Sequence, residues 1–163
     1  GLFFAACLAG ILIINFPRGL LFLGDGGAYL LGCVIAVLTI LLAERNGNVS
    51  SFASLLIVSY PIYETLRSFI RRTTDKNTDF FIADDQHFHN TVFRFISRLN
   101  DTNTRKPKEP WSTNAFAGSC CWLLPIVSSV LAVLYQSNMP VLLICIALIV
   151  LFYELGIRIL SKS

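Results

Sequence analysis

Between residues 115 and 135 no side chain of this sequence is charged, and the same holds over 26–43 and 139–153. About 20 apolar residues in a helix cross the hydrocarbon core of a bilayer. In water, runs of this kind would have to be buried on every side, and composition closes that option. Apolar residues make up 55% of the 163 and charged residues 14%, against about 25% charged in a soluble domain. Too little charge remains to cover a water-facing surface. Aromatics at 12% exclude a disordered chain, which is poor in them. Cys7, Cys33, Cys120, Cys121 and Cys145 lie inside apolar runs, odd in number and without CxxC spacing, which excludes a disulfide-stapled module. The expected fold is all-α, a polytopic integral membrane helix bundle.

Five apolar stretches read as transmembrane helices in a single membrane domain over 1–163. The first, 1–14, is short of a full span. It lacks the methionine and basic flank of a signal peptide, so it reads as the truncated end of a helix. The others run over about 26–43, 52–66, 115–135 and 139–157, the third being short, with Pro61 and Glu64 near its end. Nine of the thirteen basic residues fall between Arg67 and Lys108. No nucleic-acid-binding motif accompanies them, so no nucleic acid partner is expected. The positive-inside rule makes 67–114 a cytoplasmic loop. That assignment puts twelve basic residues on one side and Arg45 alone on the other. Trp111 and Tyr135 then bracket the fourth helix at the two interfaces, and 44–51 and 136–138 become external turns. Polar, proline-bearing 100–110 reads as a loop. Gly24, Ala28, Gly32 and Ala36 recur every four residues, a small-residue stripe suited to close helix packing in lipid.

Asp25 stands among glycines (Gly24, Gly26, Gly27) where the second helix begins. An acid there complements the helix dipole and caps free amides. Flanking glycines also leave room for a ligand, and ionisable groups at membrane depth are functional candidates. Both readings stand at this level. A second candidate is the run Asp84, Asp85, Gln86, His87, Phe88, His89, Asn90. Its histidines could ligate a metal, transfer protons, face phosphate, or lie on the surface without a role. Arg67, Arg71, Arg72 and Lys76 serve topology, and arginine also pairs bidentately with phosphate. Glu64 precedes Arg67 and Arg71 on one helical face, which predicts an ion pair among them.

Taken together, these motifs resemble a known family. Asn15-Phe16-Pro17 and the run FLGDGGAYLLG over 22–32 are similar to the NFxPA…FxGDxGSxxLG signature of the polyprenyl-phosphate N-acetylhexosamine-1-phosphate transferases. This family includes the undecaprenyl-phosphate GlcNAc-1-phosphate transferases and is related to the phospho-MurNAc-pentapeptide translocase. Two spans later follow Pro-x-x-Glu-Thr at 61–65, an arginine-rich exit, and 83–90 in place of a PDRQHxHH-like motif. The sequence departs from that pattern at Ala28 (serine in the family), Ala83 (proline), Asp85 (arginine) and Asn90 (histidine). The family's upstream Asp-Asp and Asn-x-x-Asn-x-x-Asp-Gly motifs have no counterpart, so the resemblance is to the C-terminal half only.

The resemblance implies transfer of N-acetylhexosamine-1-phosphate from a UDP-sugar to polyprenyl phosphate, with release of UMP, to start cell-surface polysaccharide synthesis. It implies Mg²⁺ as cofactor, with Mn²⁺ as substitute, and Asp25 as its ligand. Asp25, His87 and His89 would be catalytic. Asn15, Gly24, Gly26, Gly27, Arg71, Arg72, Asp84 and Gln86 would bind substrate. The implied partners are UDP-N-acetylhexosamine, the polyprenyl phosphate lipid and the membrane, with a homodimer allowed. The implied place is a bacterial inner membrane with the active site on its cytoplasmic face. Two other classes compete: a transporter or channel fragment with Asp25 on an ion path, and a zinc-dependent membrane hydrolase using the HxH pair.

Overall fold

The computed structural model describes residues 1–21, 23–74, 87–103 and 110–162. Among the described residues it holds seven helices and no strand: α1 (Leu2–Asn15), α2 (Gly24–Arg45), α3 (Ser51–Ile57), α4 (Ser59–Thr74), α5 (Phe88–Asn103), α6 (Pro110–Leu134) and α7 (Met139–Lys162). Three are long and apolar enough to cross a membrane, over Gly24–Arg45, Trp111–Leu134 and Met139–Ser161, while Leu2–Asn15 is apolar but shorter. The chain is a polytopic helical membrane protein, and its five cysteines are free thiols.

The expected third span is two helices rather than one. α3 ends at Ile57, Val58 leaves helical geometry with φ −98° and ψ 8°, and α4 resumes at Ser59. Pro61 is the cause, because it has no N–H for the Ile57 carbonyl and its ring crowds that carbonyl. Ser59 Oγ steadies the break by donating to the Leu56 carbonyl at 2.7 Å.

α3 sits at the centre of the bundle. Its Ala53 and Leu56 pack on Ala132 of α6 and on Leu142, Cys145 and Ile149 of α7. The Ser50 N–H donates to the Gln136 carbonyl at 2.7 Å, so the α2–α3 and α6–α7 turns meet at one end. Ser54 Oγ donates to the Thr39 carbonyl at 2.6 Å and ties α3 to α2. At the opposite end α2 begins, α4 finishes, α6 begins and α7 finishes. There the Arg18 guanidinium lies 5.9 Å from the Trp111 ring centroid.

That end holds the largest departure from the expected 67–114 loop. α4 continues to Thr74, and α5 occupies 88–103, the first four residues of the loop expected over 100–110 included. Phe88, Val92, Phe93 and Ile96 recur at helical spacing and pack with Ala117 and Cys121 of α6 and Leu160 of α7. An amphipathic helix balances arginines against phenylalanines, and the net polarity of the stretch concealed it. The small-residue stripe also behaves otherwise than expected. α2 buries no residue, a side chain at Gly32 would meet nothing within 4 Å, and Gly32 and Ala36 instead line an apolar groove of about 720 Å³ against Val58, Pro61, Ile62 and Leu66.

Candidate functional site

The turn from α1 into α2 carries the first group of expected site residues. Asn15 Oδ1 accepts the Leu21 N–H at 3.1 Å, and its carbonyl accepts the Gly19 N–H at 2.6 Å. Asn15 thus folds the turn that delivers the chain to α2. Gly24 opens α2 at φ +67°, a conformation open to glycine at little cost. At Gly27 a Cβ would come within 2.5 Å of Leu23 Cγ, whereas Gly26 faces open space. Asp25 follows in the first turn of α2, exposed. No side chain caps that helix by hydrogen bond, so the capping role is reduced to complementing the dipole.

The second group assembles where α4, α5 and α7 meet. Glu64 Oε1 accepts the Phe88 N–H at 2.9 Å and lies 3.3 Å from His87 Nδ1. It thereby satisfies one of the orphan donors that open α5, from a helix 24 residues earlier. The ion pair expected between Glu64 and Arg67 is not formed. Arg67 turns to α7, where its Nε donates to Glu154 Oε1 at 2.8 Å, and the Tyr63 hydroxyl donates to the same oxygen at 3.0 Å. Tyr153 fills the space between the two carboxylates. It is 2% exposed, with ring centroids 5.1 Å from Phe88, 5.2 Å from Tyr63 and 6.0 Å from Tyr60. Gly156 keeps this junction close, since a Cβ there would stand 3.1 Å from Phe88 Cε2.

His87 and His89 diverge. His87 lies just before α5 and meets Glu64, while His89, in the first turn of α5, lines a separate groove of about 330 Å³ with Asn90, Phe93, Trp111 and Asn114. Arg71 borders a larger groove between α4 and α7 with Arg67, Glu154 and Arg158. Arg72 is half-buried in the last turn of α4. Among the described residues, no hydrogen bond or ion pair joins Asp25 to either histidine, and no three His, Cys, Asp or Glu side chains converge to hold a metal. Asp84, Asp85, Gln86, Ala83, Lys76 and Phe22 lie outside the described residues. Sequence reasoning passed over Glu154 and Tyr153, although a carboxylate within an otherwise apolar helix was the signal for them.

The class defined so far is a multi-helix membrane protein with charged groups gathered at one end. Comparison with known proteins carries this further. Over 94 residues the chain is 30% identical to the undecaprenyl-phosphate alpha-N-acetylglucosaminyl 1-phosphate transferase of Thermotoga maritima, a match covering 58% of this chain and 31% of the relative. The chain thus spans about a third of the relative it matches. No family model and no solved structure matches. The similarity supports the resemblance read from the motifs.

Proposed function

We propose that this chain forms part of a membrane transferase moving N-acetylhexosamine-1-phosphate from a UDP-sugar to a polyprenyl phosphate, with UMP as the leaving product. The observation that carries the reading is the similarity to the Thermotoga transferase, together with the Asp25 and His87 motifs in the family's order. The reaction brings together two phosphate-bearing molecules, one dissolved and one anchored in lipid, at the cytoplasmic face of a bacterial inner membrane. Their repulsion has to be neutralised and the reacting groups held in line.

The described residues offer one suitable carboxylate for Mg²⁺ or Mn²⁺. Asp25 is exposed, so water and substrate phosphates can complete the shell, the mode Mg²⁺ favours. When bound, such an ion neutralises phosphate charge. Glu64 faces His87 Nδ1, which leaves Nε2 as the nitrogen directed at a phosphate or a proton. The apolar groove between α2 and α4 offers an adjacent wall for a lipid chain. Asn15 and Gly24 shape the backbone around Asp25, and Arg71 and Arg72 add positive charge.

The test is Asp25→Asn in the full-length protein. Loss of a metal-holding charge lowers UMP release by about two to three decades. Stability moves by less than about 1 kcal/mol, the scale of a helix-dipole effect. Near-normal UMP release would reduce Asp25 to the dipole role.

A further inference from the structure

Asp25 belongs to a segment that apolar burial does not secure. Neither α1 nor α2 buries a residue. The hydrogen bond that ties α2 to α3 is made at the Thr39 carbonyl, about 21 Å along the helix from Asp25. Nearer to Asp25, the turn from α1 into α2 meets α6 through two tryptophan rings. The Phe16 and Trp122 rings are tilted at 42° with centroids 5.3 Å apart, and the Arg18 guanidinium lies 5.9 Å from the Trp111 centroid. From these contacts we propose that Trp111 and Trp122 are positioning residues, holding the Asp25 segment in place relative to α5, which carries His89. The assignment rests on the transferase reading, in which Asp25 and the histidines serve one reaction.

Trp111 and Trp122 are eleven residues apart, about three turns, so they share one face of α6. Ala115 and Gly118 fall on the same face between them and place no bulky side chain between the rings. The turn is thus held at two points, which fix its direction as well as its place. α6 is in turn packed on α5, where Val92 meets Ala117 and Cys121. Trp111 also borders the groove that His89 lines. One helix therefore spans both motif-bearing segments, and Trp111 faces each of them. Both distances to the turn fall within the ranges of aromatic pairs and cation–π contacts. Leucine fills apolar space but offers neither interaction. Misplacing a group that acts on the reacting atoms by about 1 Å can cost 100-fold in rate. A loosened turn is accordingly read in turnover, while the core formed by α3, α6 and α7 keeps the bundle folded.

The test uses the full-length protein in detergent with UDP-N-acetylglucosamine, a short polyprenyl phosphate and Mg²⁺. Trp111→Leu and Trp122→Leu each lower kcat about tenfold and leave KM for the UDP-sugar within about twofold. Trp111→Phe and Trp122→Phe keep a ring and recover most of the loss. Phe116→Leu, on the opposite face of α6 and 60% exposed, behaves as the parent. Arg18→Gln breaks the Trp111 contact from an exposed position, so it folds even where a Leu variant does not, and it lowers kcat several-fold. Hydrogen–deuterium exchange on the same samples needs no activity. Amides over 15–21, among them the Leu21 N–H held by Asn15 Oδ1, exchange faster in the Leu variants and at the parental rate in the Phe variants. A parent that releases no UMP overturns the transferase reading and this assignment with it. An active parent whose kcat survives in both Leu variants or in Arg18→Gln overturns the assignment alone. So does a loss that phenylalanine does not restore, or unchanged exchange over 15–21.

Discussion

Glu64 shows how one side chain can be legible in kind and illegible in partner. Its position before Arg67 and Arg71 announced an ion pair, yet its oxygen serves the Phe88 amide and His87. Spacing along a helix fixes which residues share a face, but the partner was set by α5, which arrives 24 residues later. Removing this acceptor leaves a part-buried N–H without its partner, at a cost of about 1–3 kcal/mol. Glu64→Ala therefore destabilises the protein on that scale, while Glu64→Gln, which keeps an acceptor oxygen, costs less. Thermal melts of both variants in detergent check the order, and equal stability of Glu64→Ala and the parent would contradict it. His89 has no such tie to Glu64, since it faces the α5–α6 groove.

At the scale of elements, α4, α5 and α7 are joined by polar contacts set around aromatic rings. Arg67 and Glu154 are each about a quarter exposed, 25% and 27%, so the pair is partly desolvated and part of its Coulomb gain offsets that cost. Removing one partner leaves the other charge unpaired near the apolar region. Arg67→Leu and Glu154→Leu each destabilise by about 1–3 kcal/mol. The double variant is closer to the parent than the sum of the two predicts. A double-mutant cycle on unfolding free energies measures the difference, and simple additivity would show that the two residues act separately. The break at Val58 and the hidden helix α5 belong to the same scale. Pro61 was visible as a breaker, whereas the amphipathic face of α5 went unread because its arginines dominated the stretch.

For the molecule as a whole, charge distribution and helix direction agree. Arg18, Arg67, Arg94 and Arg158 belong to the end where α2 begins and α7 finishes, and the α2–α3 and α6–α7 turns meet at the other. Under the positive-inside rule we propose that the basic end faces the cytoplasm. In intact cells, an impermeant maleimide labels a single cysteine placed at Ser137 and leaves one at Thr74 unlabelled. Both positions are exposed. Labelling at 74 without labelling at 137 would invert the arrangement.

Composition and hydropathy by themselves determined that the chain is helical and membrane-spanning, because apolar runs of span length have few other stable forms. They also marked the two turns and the Asp25 and histidine motifs, which are local in sequence. Tertiary structure alone decided what Glu64, Arg67 and Glu154 hold, that His87 and His89 point apart, and that the α2 stripe faces a groove. These depend on contacts between residues 23 to 91 positions apart. Such contacts form when side chains from separate helices compete for the same space, and no local spacing encodes the winner.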